Sequence, residues 1–128
     1  MYFNAAHRLH NPAFSKQENL RIYGPCNNEY GHGHNYKIEV IVKGSVDPDT
    51  GMVINLVELK DIVHKLIIKE CDHKHLNFDV PWLKGINPTA ENLAIVFWQR
   101  LEKKIKGVKL YKLRLLETDT NIVEYMGE

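Results

Sequence analysis

Cysteine is scarce: Cys26 and Cys71 are the only two. Two cysteines in 128 residues do not make a disulfide scaffold, and they fit a reduced compartment. No apolar run approaches the length of a membrane span. The N-terminal residues lack a charged-then-apolar export signal. Basic excess is also missing, since the formal net charge is +1 with histidine neutral. That gives no support to nucleic-acid binding, which draws on a basic face. Repeats, linkers and low-complexity segments are absent. What remains is a chain that is 44% hydrophobic and 26% charged. Such a composition argues against disordered and fibrous classes and fits one domain over residues 1–128. The expectation is a cytoplasmic globular protein.

The stretch Gly24–Tyr36, G-P-C-N-N-E-Y-G-H-G-H-N-Y, concentrates the chemistry. In an extended chain, residues i and i+2 face the same way. His32 and His34 then present adjacent imidazoles, with Gly33 keeping the opposite face small. Two such imidazoles suit a metal that prefers nitrogen, zinc (Zn2+) first. A catalytic zinc usually takes three protein ligands and keeps one open position. His7, in F-N-A-A-H-R-L, is the candidate third ligand. Spacing alone leaves metal-binding and structural roles both open for the pair.

The rest of the chain predicts an α+β layer. Residues 1–9 read as a short strand carrying His7. Residues 10–31 read as a long irregular loop, and loops of that length are usually functional or disordered. Asn35–Gly44 alternates, with Tyr36, Ile38, Val40 and Val42 on one face and His32 and His34 in phase with them. Asp47–Gly51 is a turn, and Met52–Ile54 a short return strand. Asn55 caps a helix ending near Cys71, with Glu58 as a capping-box partner. Its stripe is Leu56, Leu59, Ile62, Val63, Leu66 and Ile67. A polar loop follows at 72–77. Thr89 caps a second helix whose apolar face runs from Leu93 to Ile105, and Gly107 stops it. Val108–Leu116 and Ile122–Met126 form a final hairpin. Turns of hairpin type at both ends imply an antiparallel sheet with two helices on one face.

Other residues carry weaker signals. Cys26 lies in a polar, glycine- and proline-marked loop; beside a metal its thiol could serve as base or nucleophile. Cys71 follows an apolar stripe and reads as structural. Asp72 and His73 are adjacent at a helix end. They form a proton relay if both meet one cavity, and otherwise make ordinary loop contacts. Glu117 ends a strand, either solvated or paired to the edge of a ring. His10, His64 and His75 show no partner pattern.

Three stretches together, C-N-N-x-x-G-H-G-H-N-Y, D-H-K-x-L-N (Asp72–Asn77) and E-T-D-x-N (Glu117–Asn121), resemble the 6-pyruvoyltetrahydropterin synthase family along essentially the whole chain. The family includes the 6-carboxytetrahydropterin synthase of queuosine biosynthesis. The spacing from Cys26 to His32 and the segment G-M-V-I-N are similar to the pyruvoyl-forming branch. The resemblance implies the tunnelling, or T-fold: an antiparallel four-stranded sheet with two helices on one face, three subunits closing into a barrel, and two trimers stacked as a homohexamer with active sites between subunits. It implies a lyase that converts 7,8-dihydroneopterin triphosphate to 6-pyruvoyl-tetrahydropterin, with zinc on His7, His32 and His34. Cys26 matches the base, Asp72 and His73 the relay, and Glu117 the pterin anchor, with Thr89 and Glu91 near the pterin pocket. Ala90 departs from the family pattern, which has a polar residue there. The short N-terminus leaves the strand before His7 abbreviated. The alternatives are the carboxy-forming synthase and a non-catalytic, zinc-stabilised pterin-binding module.

Overall fold

A computed structural model describes residues 1–128. Five strands form one sheet in the order β3-β1-β2-β4-β5. They are β1 (Tyr2–His7), β2 (His32–Lys43), β3 (Lys74–His75), β4 (Lys109–Leu116) and β5 (Ile122–Tyr125). The four longer strands pair antiparallel, as the alternating patterns predict. The sheet is nevertheless mixed, not purely antiparallel and four-stranded, because β3 joins the edge of β1 in parallel. Two residues are too few to carry a period, so the predicted polar loop at 72–77 concealed them.

Strand parity sets the two faces. Phe3, Ala5, Tyr36, Ile38, Leu113 and Leu115 are buried on one. Glu39, Arg114 and Glu124 lie on the other, where Arg114 bonds Glu39 at 2.8 Å and pairs with Glu124 at 3.1 Å. Two helices cover the apolar face. The first, α2, runs from Leu56 through Val63, makes a π-helical turn over His64–Ile68, and ends as Lys69–Cys71. Asn55 caps it by accepting from the Val57 N–H at 2.9 Å, without a return bond from Glu58. The second, α3 (Ala90–Glu102), is capped by Thr89 accepting from the Asn92 N–H. Leu59, Val63 and Ile67 meet Leu93, Phe97 and Leu101 in one apolar cluster with the sheet. Leu56 is the exception in the predicted stripe: it is 64% exposed, at the first position of the helix.

Two further expectations change. Residues 10–31 are not irregular throughout, because Lys16–Tyr23 forms a helix, α1, followed by a 3-10 turn at Gly24–Asn27. Ser15 caps α1 by accepting from the Glu18 N–H at 3.1 Å. Met52–Ile54 is not a return strand. β1 covers β2 only as far as Lys37, and β4 takes the other side of Lys37–Lys43, but no ladder bond joins Met52–Ile54 to the edge that remains beside Glu39–Lys43. The Asp47 N–H still bonds the Met52 carbonyl at 2.9 Å, closing the predicted turn.

The first strand is paired along its whole length. Met1 N donates to the Ile38 carbonyl and Ile38 N to the Met1 carbonyl, both at 2.8 Å. Past His7 the chain leaves the sheet, and asparagine side chains take over the backbone bonds. Asn77 accepts from Arg8 N and donates to its carbonyl. Asn27 donates to the Leu9 carbonyl, Asn87 accepts from His10 N, and the buried Asn19 both accepts from Asn11 N and donates to its carbonyl. Leu9 N donates to the Cys26 carbonyl at 2.9 Å, which ties the cysteine turn to the end of β1.

Candidate metal centre and adjoining cleft

The β1–β2 register places His7 opposite His32 and Ala5 opposite His34. All three histidines have inward parity, so their rings gather at the end of the apolar face. Ring centroids are 4.8 Å apart for His7–His32, 5.0 Å for His7–His34 and 4.8 Å for His32–His34. One nitrogen from each lies within 4.8 Å of the others.

His7 is fully buried and held from behind. Its Nδ1–H donates to the Pro88 carbonyl at 2.8 Å, with the Tyr36 hydroxyl 3.1 Å away. That bond fixes the tautomer and leaves the Nε2 lone pair free, as second-shell carbonyls do for metal-bound imidazoles. Burial lowers the His7 pKa to about 4, with the nearby His32 and His34 adding to the fall. Burial also lowers His34, against the opposing pull of Glu117.

These features fit a zinc ion. Tetrahedral zinc with bonds of about 2.0–2.1 Å sets its ligand nitrogens roughly 3.3 Å apart. The Nε2 atoms of His7 and His32 are 3.2 Å apart. His34 Nε2 is buried without a hydrogen-bond partner, an orphaned atom that a metal would satisfy.

Because His7 is neutral when folded and protonates more readily when unfolded, folding of the metal-free protein should weaken with acid. The contribution is whole above pH 6.5 and is lost as pH falls from 6.5 to about 4. A shift of that size corresponds to about 3 kcal/mol at most. Denaturant midpoints of chelated protein at pH 7, 5.5 and 4 check this, and a midpoint that rises on acidification would contradict it.

Gly33 is not the glycine the site needs, since a Cβ there would meet only the Ala5 carbonyl, at 3.6 Å. Gly31 is. Its φ is +82°, and a Cβ would stand 2.6 Å from the His7 carbonyl oxygen and 3.0 Å from His75 Nε2. Gly31→Ala should therefore cost roughly 2–4 kcal/mol, from left-handed strain plus displacement of β1. Thermal unfolding measures it, and an unchanged Tm would refute the clash.

Glu117 joins the histidines to a cleft. Its carboxylate is 3.6 Å from His34 Nε2 and 4.0 Å from His7 Nε2. The same residue borders a cavity of about 430 Å³ with Leu9, Thr89, Ala90, Glu91, Asn121 and Val123. That volume suits a small heterocycle. The E-T-D-T-N stretch explains the placement. Thr118 Oγ1 accepts from the Asn121 N–H, and Glu117 N donates to the Asn121 carbonyl, so the turn pins Glu117 at the strand end. Thr89, Glu91 and Glu117 thus share one cavity.

Cys26 sits in the 3-10 turn, partly exposed. Burial raises its thiol pKa, and the Glu117 carboxylate raises it further. Without a metal it rests as a thiol. Cys71 is fully buried, and burial pushes its pKa up to about 12, as its structural reading requires.

Asp72 and His73 pair with each other at 3.0 Å, but none of their bonds reaches the histidine cluster. Asp72 accepts from the Asn4 N–H at 2.8 Å, which holds its carboxyl below the usual range, and His73 N donates to the Asn4 carbonyl. Asn4 precedes His7 by three residues, about 10 Å along a strand. The His73 ring is 81% exposed. Within one chain, then, this pair stands apart from the other proposed site residues. The sequence reading missed Pro88, Tyr36 and the asparagine ties. His75, which shows no partner pattern in the sequence, has its Nε2 buried without a partner beside Gly31.

Fold and site together define a class: an α+β enzyme of the T-fold type. The chain belongs to the 6-pyruvoyl tetrahydropterin synthase family, whose model matches residues 1–128. It is 49% identical over 126 residues to the 6-pyruvoyl tetrahydrobiopterin synthase of Poecilia reticulata, covering 98% of this chain and 86% of that protein. It is 48% identical to the Homo sapiens protein of the same name, covering 98% of this chain and 87% of that one. The structure of Caenorhabditis elegans 6-pyruvoyl tetrahydropterin synthase superposes with a TM-score of 0.93 at 41% identity, over all of this chain and 91% of the other. No helix is long and apolar enough to cross a membrane.

Proposed function

We propose that the protein is a zinc-dependent lyase that converts 7,8-dihydroneopterin triphosphate to 6-pyruvoyl-tetrahydropterin and releases inorganic triphosphate. One observation carries the reading: Glu117 borders both a three-imidazole cluster and a cleft of heterocycle size. His7, His32 and His34 would hold the zinc, which supplies Lewis acidity toward the hydroxyls of the substrate side chain. The Glu117 carboxylate accepts the two parallel N–H donors of the pterin edge, at the 2-amino group and N3. Thr89 and Glu91 line the same pocket. Cys26 removes a proton from the side-chain carbon, its thiolate favoured by the cation. Asp72 and His73 carry protons onward. Their solvated position in one chain agrees with a homohexamer in which a neighbouring subunit completes the site. The reaction belongs to tetrahydrobiopterin-type biosynthesis in the cytoplasm.

The test is product analysis. Zinc-loaded protein incubated with dihydroneopterin triphosphate should yield a pterin bearing a three-carbon pyruvoyl side chain by mass spectrometry. A carboxy product with acetaldehyde would assign it to the queuosine-type reaction instead. Absence of conversion by intact zinc-loaded oligomer would favour a binding module.

A further inference from the structure

A second polar cavity lies on the far side of the Arg8–His10 segment. It measures about 550 Å³, and only one of its seven lining residues is apolar. Arg8, His10, Lys16, Asn27, Asn28 and Glu29 form its polar wall. The two cavities share a partition, since Leu9 lines the Glu117 cleft while its neighbours Arg8 and His10 line this one. Arg8 follows the ligand His7, and Asn27 follows Cys26. We propose that this cavity is a polyphosphate subsite that seats the triphosphate arm of the substrate, an assignment that rests on the lyase reading above.

The donors are available and already held in place. Arg8 Nε–H donates to the Asn27 carbonyl at 3.1 Å, which anchors the guanidinium. Its other N–H groups bond nothing within the chain, and neither Arg8 nor Lys16 has a carboxylate partner. An unpaired guanidinium fork and a free ammonium are what phosphate oxygens recognise. His10 adds a third donor by elimination. Asn27 Nδ2 gives one hydrogen to the Leu9 carbonyl at 2.8 Å and the other to His10 Nδ1 at 2.9 Å. His10 Nδ1 is therefore the acceptor, and in the neutral ring the proton must reside on Nε2. Asn27 thus orients both Arg8 and His10. Glu29 is the one carboxylate on the wall, and it pairs with neither cation. A substrate held by its ring at Glu117, with its hydroxyls toward the histidines, carries its anionic end away from the cleft. The Arg8 wall is where unneutralised positive charge awaits it.

The experiment combines titration with kinetics. Inorganic triphosphate is titrated calorimetrically into zinc-loaded protein, with bound zinc assayed before and after, for wild type, Arg8→Gln, Lys16→Gln and the double variant. The KM for dihydroneopterin triphosphate and the affinity for unphosphorylated neopterin are measured in parallel. The double variant should bind triphosphate at least about tenfold more weakly, the loss expected on removing charge-assisted bonds. KM should rise similarly while neopterin binding stays unchanged. Lys16 is an exposed helix residue, so Lys16→Gln tests the charge without risk to the fold. Arg8→Lys should recover part of the affinity. Equal triphosphate affinity in wild type and double variant would overturn the subsite, as would an equal loss of neopterin binding. If wild type turns over and the double variant keeps its KM, the lyase reading stands and the subsite fails. If triphosphate binding depends on Arg8 and Lys16 without turnover, the subsite stands and the lyase reading fails.

Discussion

Cys26→Ala is expected to lower turnover by about two to four orders of magnitude, the usual worth of a positioned general base. Zinc content and Tm should remain those of wild type. The fold should tolerate the change because the turn is held by its backbone: the Cys26 carbonyl accepts from Leu9 N, and alanine keeps that bond. The thiol is in no disulfide and is only partly buried. Nor is it among the three nitrogens that gather at the candidate metal centre. What alanine removes is the ionisable group. In the metal-free protein burial and Glu117 both oppose the thiolate. A dication held by the three histidines would favour the thiolate, so the loss should appear in kcat and vanish from ligand affinity. Single-turnover kinetics with metal analysis decide the matter. Wild-type turnover in this variant would remove Cys26 from the role of base.

The second large effect separates metal binding from folding. His7→Ala and His32→Ala should each reduce bound zinc from one ion per chain to a small fraction and abolish turnover. Only His7→Ala should also lose several kcal/mol of stability, roughly 3–5, by opening a buried cavity and stranding the Pro88 carbonyl. His32 is half-buried, and its Nδ1 has no partner to lose. Elemental analysis and denaturant midpoints on the two variants test the distinction. Full zinc occupancy in His32→Ala would refute the ligand set.

The longer strands were legible because alternation is written into their side chains, and β2 extends back to His32 as its parity implied. The histidine cluster was legible for the same reason: period two aligns His32 with His34, and His7 has matching parity on β1. Helix α1 was not, because Lys16–Tyr23 is a polar surface helix that buries only Asn19 and shows little apolar period. Ser15 with Glu18 was the available signal, a capping pair three residues apart. The phantom strand at Met52–Ile54 came from a sound turn, closed by the Asp47–Met52 bond, whose return arm then makes no ladder with the sheet. Strand pairing is a property of the whole sheet and cannot be read locally. The Pro88 carbonyl lay beyond reach because backbone groups carry no sequence signature. Asp72 and His73 were found as a pair, but the pair is solvated and bonds the backbone of Asn4 rather than the histidine cluster, a placement that no local pattern encodes.

The asparagine ties along Arg8–Asn11 also bear on how the molecule breathes. Regular ladders open cooperatively, so amide exchange in a strand reports the unfolding of its neighbours. Here the four N–H groups are held one by one, by Asn77, the Cys26 carbonyl, Asn87 and Asn19, which belong to four different parts of the chain. No single segment can fray and release them all. An exchange map would therefore show a slow-exchanging island in a stretch without helix or strand. The residues that follow the candidate ligand would keep time with the core while looking, in outline, like a surface loop.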